Sequence, residues 1–356
     1  MGVDIFHKVE TQHYVPRHYL SAWAKRIYKK GRKIDLISCR IKDKLLRDID
    51  TMTIGQECFL YAYPDFNEYE FNVVVELFKS KRGLDGELIR SIYQYSLFLP
   101  LYLRSLRGER TKALSLDIRK LTDSGILDAD FCKALIDSFQ TDVRSLDQVK
   151  LSEFIDNVSI AKKNGFEYWM TQLEKHFNPL LDRARNGDLT FMAERENRPA
   201  FIHNIINQML RTQKFDRLAS DLVDDNPHTN IKIATYLRHL SAYDVASALV
   251  RNGDQYELNL IRNNTALEFI TGDQPLCNLV PNEEASQFDV YYPIAPRLAL
   301  FFSRNGRFDN VYGYLKEPNV HEVDTLNRAI CNVSIDQLYA RSTEVLSIGR
   351  YCASNW

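Results

Sequence analysis

The hydrophobic period changes near residue 254, and that change limits the fold more than any other feature. From 65 to about 253 apolar residues recur at helical spacing; Phe71, Val74, Val75 and Phe78, for example, share one face. Helices are predicted over 86–106, 129–140, 166–185, 197–213 and 230–251, the last closed by Asn252 and Gly253. Beyond 254 the period becomes two, over Tyr256–Ile261, Leu267–Thr271, Phe288–Tyr292 and Leu298–Phe302. A helix over 319–332 and a last strand over Gln337–Arg341 follow. Before 65, Pro16 opens a helix expected to reach Tyr28, and Lys33–Ser38 and Cys58–Tyr63 read as strands. Helices segregated from strands indicate an α+β fold. Its middle is mainly α-helical, with a small mixed or antiparallel sheet built from N- and C-terminal segments. The expected divisions are 1–64, 65–253 and 254–356, the last packing with the first.

With 46 basic and 47 acidic side chains, no global field drives the chain to nucleic acid or membrane. The most apolar run, Leu97–Leu103, is far too short to span a bilayer, so no membrane partner is expected. Six scattered cysteines show no CxxC spacing, and the start carries no leader pattern. Reduced thiols in a cytoplasmic protein are therefore the expectation. There is no Walker A loop, GxGxxG, HExxH, GxSxG or EF-hand, which removes the common NTPase, zincin and esterase readings.

Charge is uneven locally. Residues 25–47 hold ten basic side chains, among them Lys29, Lys30 and Arg32, with Trp23 and Tyr28 alongside. Such a run is either a solvated face or a phosphate-backbone patch with stacking rings. The segment Gln12-His13-Tyr14-Val15-Pro16-Arg17-His18-Tyr19-Leu20 concentrates histidine, tyrosine and proline near the N-terminus. His13 can act as acid, base or ligand, or pack under the next helix; His18 reads as surface. On the helix 201–213, Phe201, Ile202, Ile205, Ile206, Met209 and Leu210 form an apolar half. The other half carries His203, Asn204, Asn207, Gln208 and Arg211 rather than lysine and glutamate, which suits a cleft or a polar network. Asp273 sits in a turn after a strand, as an Asx-turn residue or as a general base or metal ligand.

These segments together resemble a family of bacterial proteins called domain of unknown function 4238. The resemblance runs through Gln12–Leu20 (QHYVPxxYL), Gln208–Thr212 (QxxRT) and Phe269–Pro275, where Gly272 and Gln274 replace residues of an FITSDNP pattern. It continues through Tyr292–Pro296, with Ala295 at a serine position, and a late asparagine, Asn327. The resemblance supplies positions and no reaction. The polar set it singles out, His13, Gln208, Arg211, Asp273 and Asn327, suggests one shared site.

Three functions follow as expectations. The first is phosphodiester cleavage by a nuclease-like toxin or antiviral defence effector with a protein partner. There His13 is acid or base, Arg211 the clamp for phosphoryl charge, and Asp273 the orienting group or the ligand of Mg or another divalent metal. Gln208, Asn327, Lys29, Lys30 and Arg32 would hold a nucleic-acid substrate. The second is a non-enzymatic sensor or interaction module whose polar set is a structural or ligand-binding network. The third is hydrolysis of a small nucleotide.

Overall fold

Alternating residues at both ends of the chain do build one sheet. In a computed structural model, residues 11–42, 44–58, 167, 170–212, 242, 245–252, 255–280 and 288–347 are described. The chain forms two compact units, one of residues 1–12, 58–172 and 226–233, the other of 13–57, 173–225 and 234–356. Nearly all the described residues belong to the second unit. The helices expected over Phe71–Phe78, 86–106 and 129–140 lie outside the described residues, as does most of 230–251 and of Cys58–Tyr63.

The strands in chain order are β1 (Thr11–His13), β2 (Lys25–Lys29), β3 (Arg32–Ile41), β4 (Lys44–Asp50), β5 (Gln56–Cys58), β6 (Tyr256–Arg262), β7 (Thr271–Gly272), β8 (Cys277–Asn278), β9 (Val290–Ala295), β10 (Leu298–Arg304) and β11 (Gln337–Ala340). One antiparallel sheet runs β2-β3-β11-β7, with β4 also on β3. β11 pairs with β3 in the register Tyr339 to Cys39, so the two ends of the chain do share a sheet. The other antiparallel sheet runs β6-β10-β9-β8. β10 lies between two strands and is buried on both faces, which explains its unbroken apolar run Leu298–Phe302.

The helices are α1 (Arg17–Leu20), α2 (residues 170–185), α3 (Asn197–Leu210), α4 (residues 245–251), α5 (Val320–Val333) and α6 (Thr343–Ser347). α5 starts at Asn319, whose side chain takes the His321 and Glu322 amides while Glu322 returns to the Asn319 amide. Its Val323, Leu326 and Ile330 recur on one face and pack with Ile261, Ile270, Tyr291, Phe301 and Leu338 in the core.

Three expectations are corrected. The helix that Pro16 opens is a single turn, and residues 25–29 form a strand rather than helix. Lys30 and Gly31 take φ of 50° and 73°, the backbone of a two-residue hairpin turn, and Ile27 pairs with Ile34 across it. Leu267–Thr271 is not a continuous strand; only Thr271 and Gly272 join a ladder. Cys39 and Cys277 are free thiols and buried, but Cys331 is disulfide-bonded, against the all-reduced expectation. Among the described residues no helix is long and apolar enough to cross a membrane.

Candidate functional site

The five segments that carried the resemblance meet in one place. Tyr19 and Trp23 come from the N-terminal segment and are fully buried. The Tyr19 hydroxyl donates to the Pro293 carbonyl at 2.6 Å and shares a bond with the Thr271 hydroxyl at 2.7 Å. Its ring stacks on Tyr292 at 5.2 Å, and Trp23 Nε1 donates to the Phe269 carbonyl at 3.0 Å. The N-terminal motif is thus bonded to both the Phe269–Pro275 and the Tyr292–Pro296 segments.

Arg211 follows the last turn of α3 and has no solvent exposure. Its Nε donates to the Tyr14 carbonyl at 2.7 Å, and its Nη1 to Glu174 Oε1 of α2 at 3.0 Å. The neighbouring Thr212 hydroxyl donates to Gln274 Oε1, and Gln274 Nε2 donates to the Met209 carbonyl at 3.2 Å. The QxxRT helix end is therefore joined to the opening motif on one side and to the Asp273 turn on the other. Gln208 is 1% exposed, and its Oε1 has no hydrogen-bond partner among the described residues. The whole amide face of α3 is buried: Asn204, Asn207 and Gln208 all lie inside.

Asp273 holds the approach to β11. Its Oδ1 accepts from the Ile335 amide at 2.8 Å, and its Oδ2 from the amides of Asp336 at 2.6 Å and Gln337 at 2.9 Å. Burial pushes its carboxyl above the usual range, while those three amides pull the other way. Beside it, a side chain at Gly272 would put its Cβ 2.1 Å from Ser334 Oγ, so the polar residue of the family pattern has no room here. Asn327 is equally internal. Its Oδ1 accepts from the Ile270 amide at 3.0 Å and its Nδ2 donates to the Glu268 carbonyl at 2.9 Å. The Asn327 side chain thus takes the backbone groups of Glu268 and Ile270, with the Phe269 amide between them donating to the Pro296 carbonyl at 2.9 Å, and the segment forms no continuous strand.

His13 is half-buried near Arg211. Burial first and the Arg17 charge second push it down to about 4; Arg211 adds to the fall, and hydrogen bonds to the backbone of Thr51 and Met52 oppose it. His203 is lowered to about 4 by burial alone. An unfolded histidine takes its proton near 6.5, so between 6.5 and 4 the unfolded chain binds more protons than the folded one. Stability is then full above about 6.5 and is lost as the pH falls towards 4. The urea midpoint is expected to drop across that window, and a His13→Gln, His203→Gln double variant to flatten the drop. An unaltered slope in the double variant contradicts this origin.

His13 and Arg211 are brought together, and Arg211 connects to Asp273 through Thr212 and Gln274. Asn327 bonds the extended Glu268–Ile270 segment leading into the Asp273 turn. Lys29, Lys30 and Arg32 stand apart, exposed at the β2–β3 hairpin. His18 Nε2 hydrogen-bonds the Asp182 carboxylate at 2.9 Å. Sequence reasoning missed Glu174, Gln337 and Arg185. Gln337 Nε2 donates to the Tyr14 hydroxyl at 3.1 Å, and Arg185 joins the Tyr19 and Ile294 carbonyls at 3.0 Å each. None of the three sits in a distinctive local pattern. Among the described residues, no three His, Cys, Asp or Glu side chains form a metal-ligating group.

The second unit is thus an α+β protein body pinned by one buried hydrogen-bonded hub drawn from five separated segments. The chain belongs to the family described as protein of unknown function (DUF4238), whose pattern matches residues 11–344. Comparison with curated proteins gives no match, and neither does comparison with solved structures.

Proposed function

We propose that this chain is a non-enzymatic binding module. Its polar hub holds the fold, and its basic hairpin recognises a polyanion, with nucleic acid as the intended partner. One observation carries the first half. Arg211 and Asp273, the two residues a hydrolytic site would need most, face backbone groups of their own chain rather than open solvent. The second half rests on the hairpin. Lys29, Lys30 and Arg32 flank its turn, make no ion pair among the described residues, and stand beside Tyr28, which is 75% exposed. Asp35, the nearby acid, is already engaged by Arg26 at 2.8 Å and Lys33 at 3.6 Å. Lysines and an arginine on a rigid hairpin suit a phosphate backbone, and an exposed ring suits an unstacked base.

Fluorescence anisotropy with labelled single-stranded DNA, single-stranded RNA and duplex DNA tests this. Replacing Lys29, Lys30 and Arg32 with glutamate is expected to weaken binding more than about tenfold. It should also flatten the salt dependence by about two to three ions. Wild-type protein that binds none of the three, or a variant that binds as well as wild type, rejects the reading.

The adjacency of His13 and Arg211 favours a second reading, phosphodiester cleavage with a neutral His13 as base. It requires loss of cleavage of the same oligonucleotides, with Mg²⁺ or Mn²⁺ present, in a folded His13→Gln variant. Wild-type protein that leaves them intact removes it.

A further inference from the structure

A pocket of about 510 Å³ lies among α2, α3 and α4, away from the hairpin. That volume is in the range of small-ligand sites. Leu173, Ala246 and Val250 give it apolar walls, and its polar lining comes from His176, His203, Asn204, Ser247 and Arg251, with no carboxylate lining it among the described residues. A wall without acids beside an arginine favours a negative guest. Arg251 is exposed in the last helical turn of α4 and makes no ion pair among the described residues. Asn204 is 2% exposed; its amide nitrogen is held by the Ala200 carbonyl at 2.9 Å, and its oxygen is in no hydrogen bond among the described residues. His203, with its pKa lowered by burial, is neutral at pH 7, so it offers hydrogen bonds without charge in the interior. The polarity therefore has a direction, with an uncharged, largely apolar interior that holds Asn204 and His203, and a cation where the side chains reach solvent.

We propose that this pocket binds a small amphiphilic anion, its apolar body among the three helices and its single carboxylate, sulfonate or phosphate group at Arg251. The proposal stands independently of nucleic-acid binding by the hairpin, since no residue is shared between the two.

The test uses the intact chain and 8-anilinonaphthalene-1-sulfonate as the probe, read by its fluorescence at pH 7.5. Saturable binding is expected, with displacement by decanoate and not by decan-1-ol. Arg251→Gln should weaken probe binding about tenfold by removing the charge-assisted contact, with an unchanged melting temperature. Ala246→Phe should fill the cavity and abolish binding. No saturable signal from wild type overturns the proposal, as does equal binding by both variants. Loss in Ala246→Phe with no change in Arg251→Gln overturns the assignment of an anionic ligand.

Discussion

Arg211→Ala is expected to lower the stability of the chain by about 3–5 kcal/mol, the cost of removing a large, fully buried side chain together with the hydrogen bonds it makes. For a unit of this size the melting temperature then falls by roughly 10 °C. The reason is geometric. The guanidinium binds the Tyr14 carbonyl and Glu174 at once, with no exposure of its own. Alanine would leave that carbonyl without a donor and open a cavity among α2, α3 and the opening motif. Arg211→Lys should fall between wild type and alanine, because an ammonium restores the charge without the fork that makes two directed bonds. Glu174→Gln should cost about 1–3 kcal/mol, because it leaves the buried guanidinium facing a neutral amide. Differential scanning fluorimetry of the three variants reads the order. An Arg211→Ala protein that melts with wild type would show that the guanidinium does not hold the hub.

Asp273→Asn is expected to be nearly as damaging as Asp273→Ala, at about 3 kcal/mol. The carboxylate accepts three amides with two oxygens. The amide of asparagine keeps one acceptor and turns an NH₂ towards backbone N–H groups, so donors face donors. The residues released, Ile335–Gln337, lead into β11, which lies between β3 and β7. Loosening them therefore loosens the strand that joins the two ends of the chain. Urea denaturation followed by circular dichroism measures the loss. A metal-binding role would predict something else, namely stability little changed in Asp273→Asn and a lost metal response. Retention of the wild-type urea midpoint would remove Asp273 from the hub.

The parts of the fold that were legible in the sequence are those whose cause is local. The helix Val320–Val333 announces itself through Asn319, Glu322 and the spacing of Val323, Leu326 and Ile330. The strands β6, β9 and β10 follow from their apolar pattern, with ends displaced by a few residues. The basic segment was legible as charge, but Trp23 to Tyr28 carried too few apolar residues to separate helix from strand. The turn at Lys30 and Gly31 decides it, through positive φ angles. The Leu267–Ile270 segment alternates like a strand, yet most of its backbone bonds run to side chains, among them Asn327 and Trp23, and its Phe269 amide reaches the Pro296 carbonyl, which no local pattern can announce.

The hub was legible as a set of positions and not as an arrangement. His13, Gln208, Arg211, Asp273 and Asn327 were singled out, yet Glu174, Gln337 and Arg185 were not. Their contacts are made in space, as Tyr19 meets Thr271 from 252 residues away. The chemistry expected of Arg211 and Asp273 also depended on what they face. A buried arginine and aspartate have the same sequence signature whether they meet a phosphate or a backbone amide.

The central claim is that these five segments form one cooperative hub. Hydrogen exchange followed by mass spectrometry on Arg211→Ala, against wild type, tests it most directly. Arg211 bonds Tyr14 and Glu174. Protection is expected to fall together in peptides covering Tyr14–Trp23, Phe269–Gln274 and Ile335–Gln337, because the bonds from Thr212, Gln274 and Asp273 transmit the loss. Loss confined to the peptide containing Tyr14, with Ile270 and Ile335–Gln337 protected as in wild type, would contradict it.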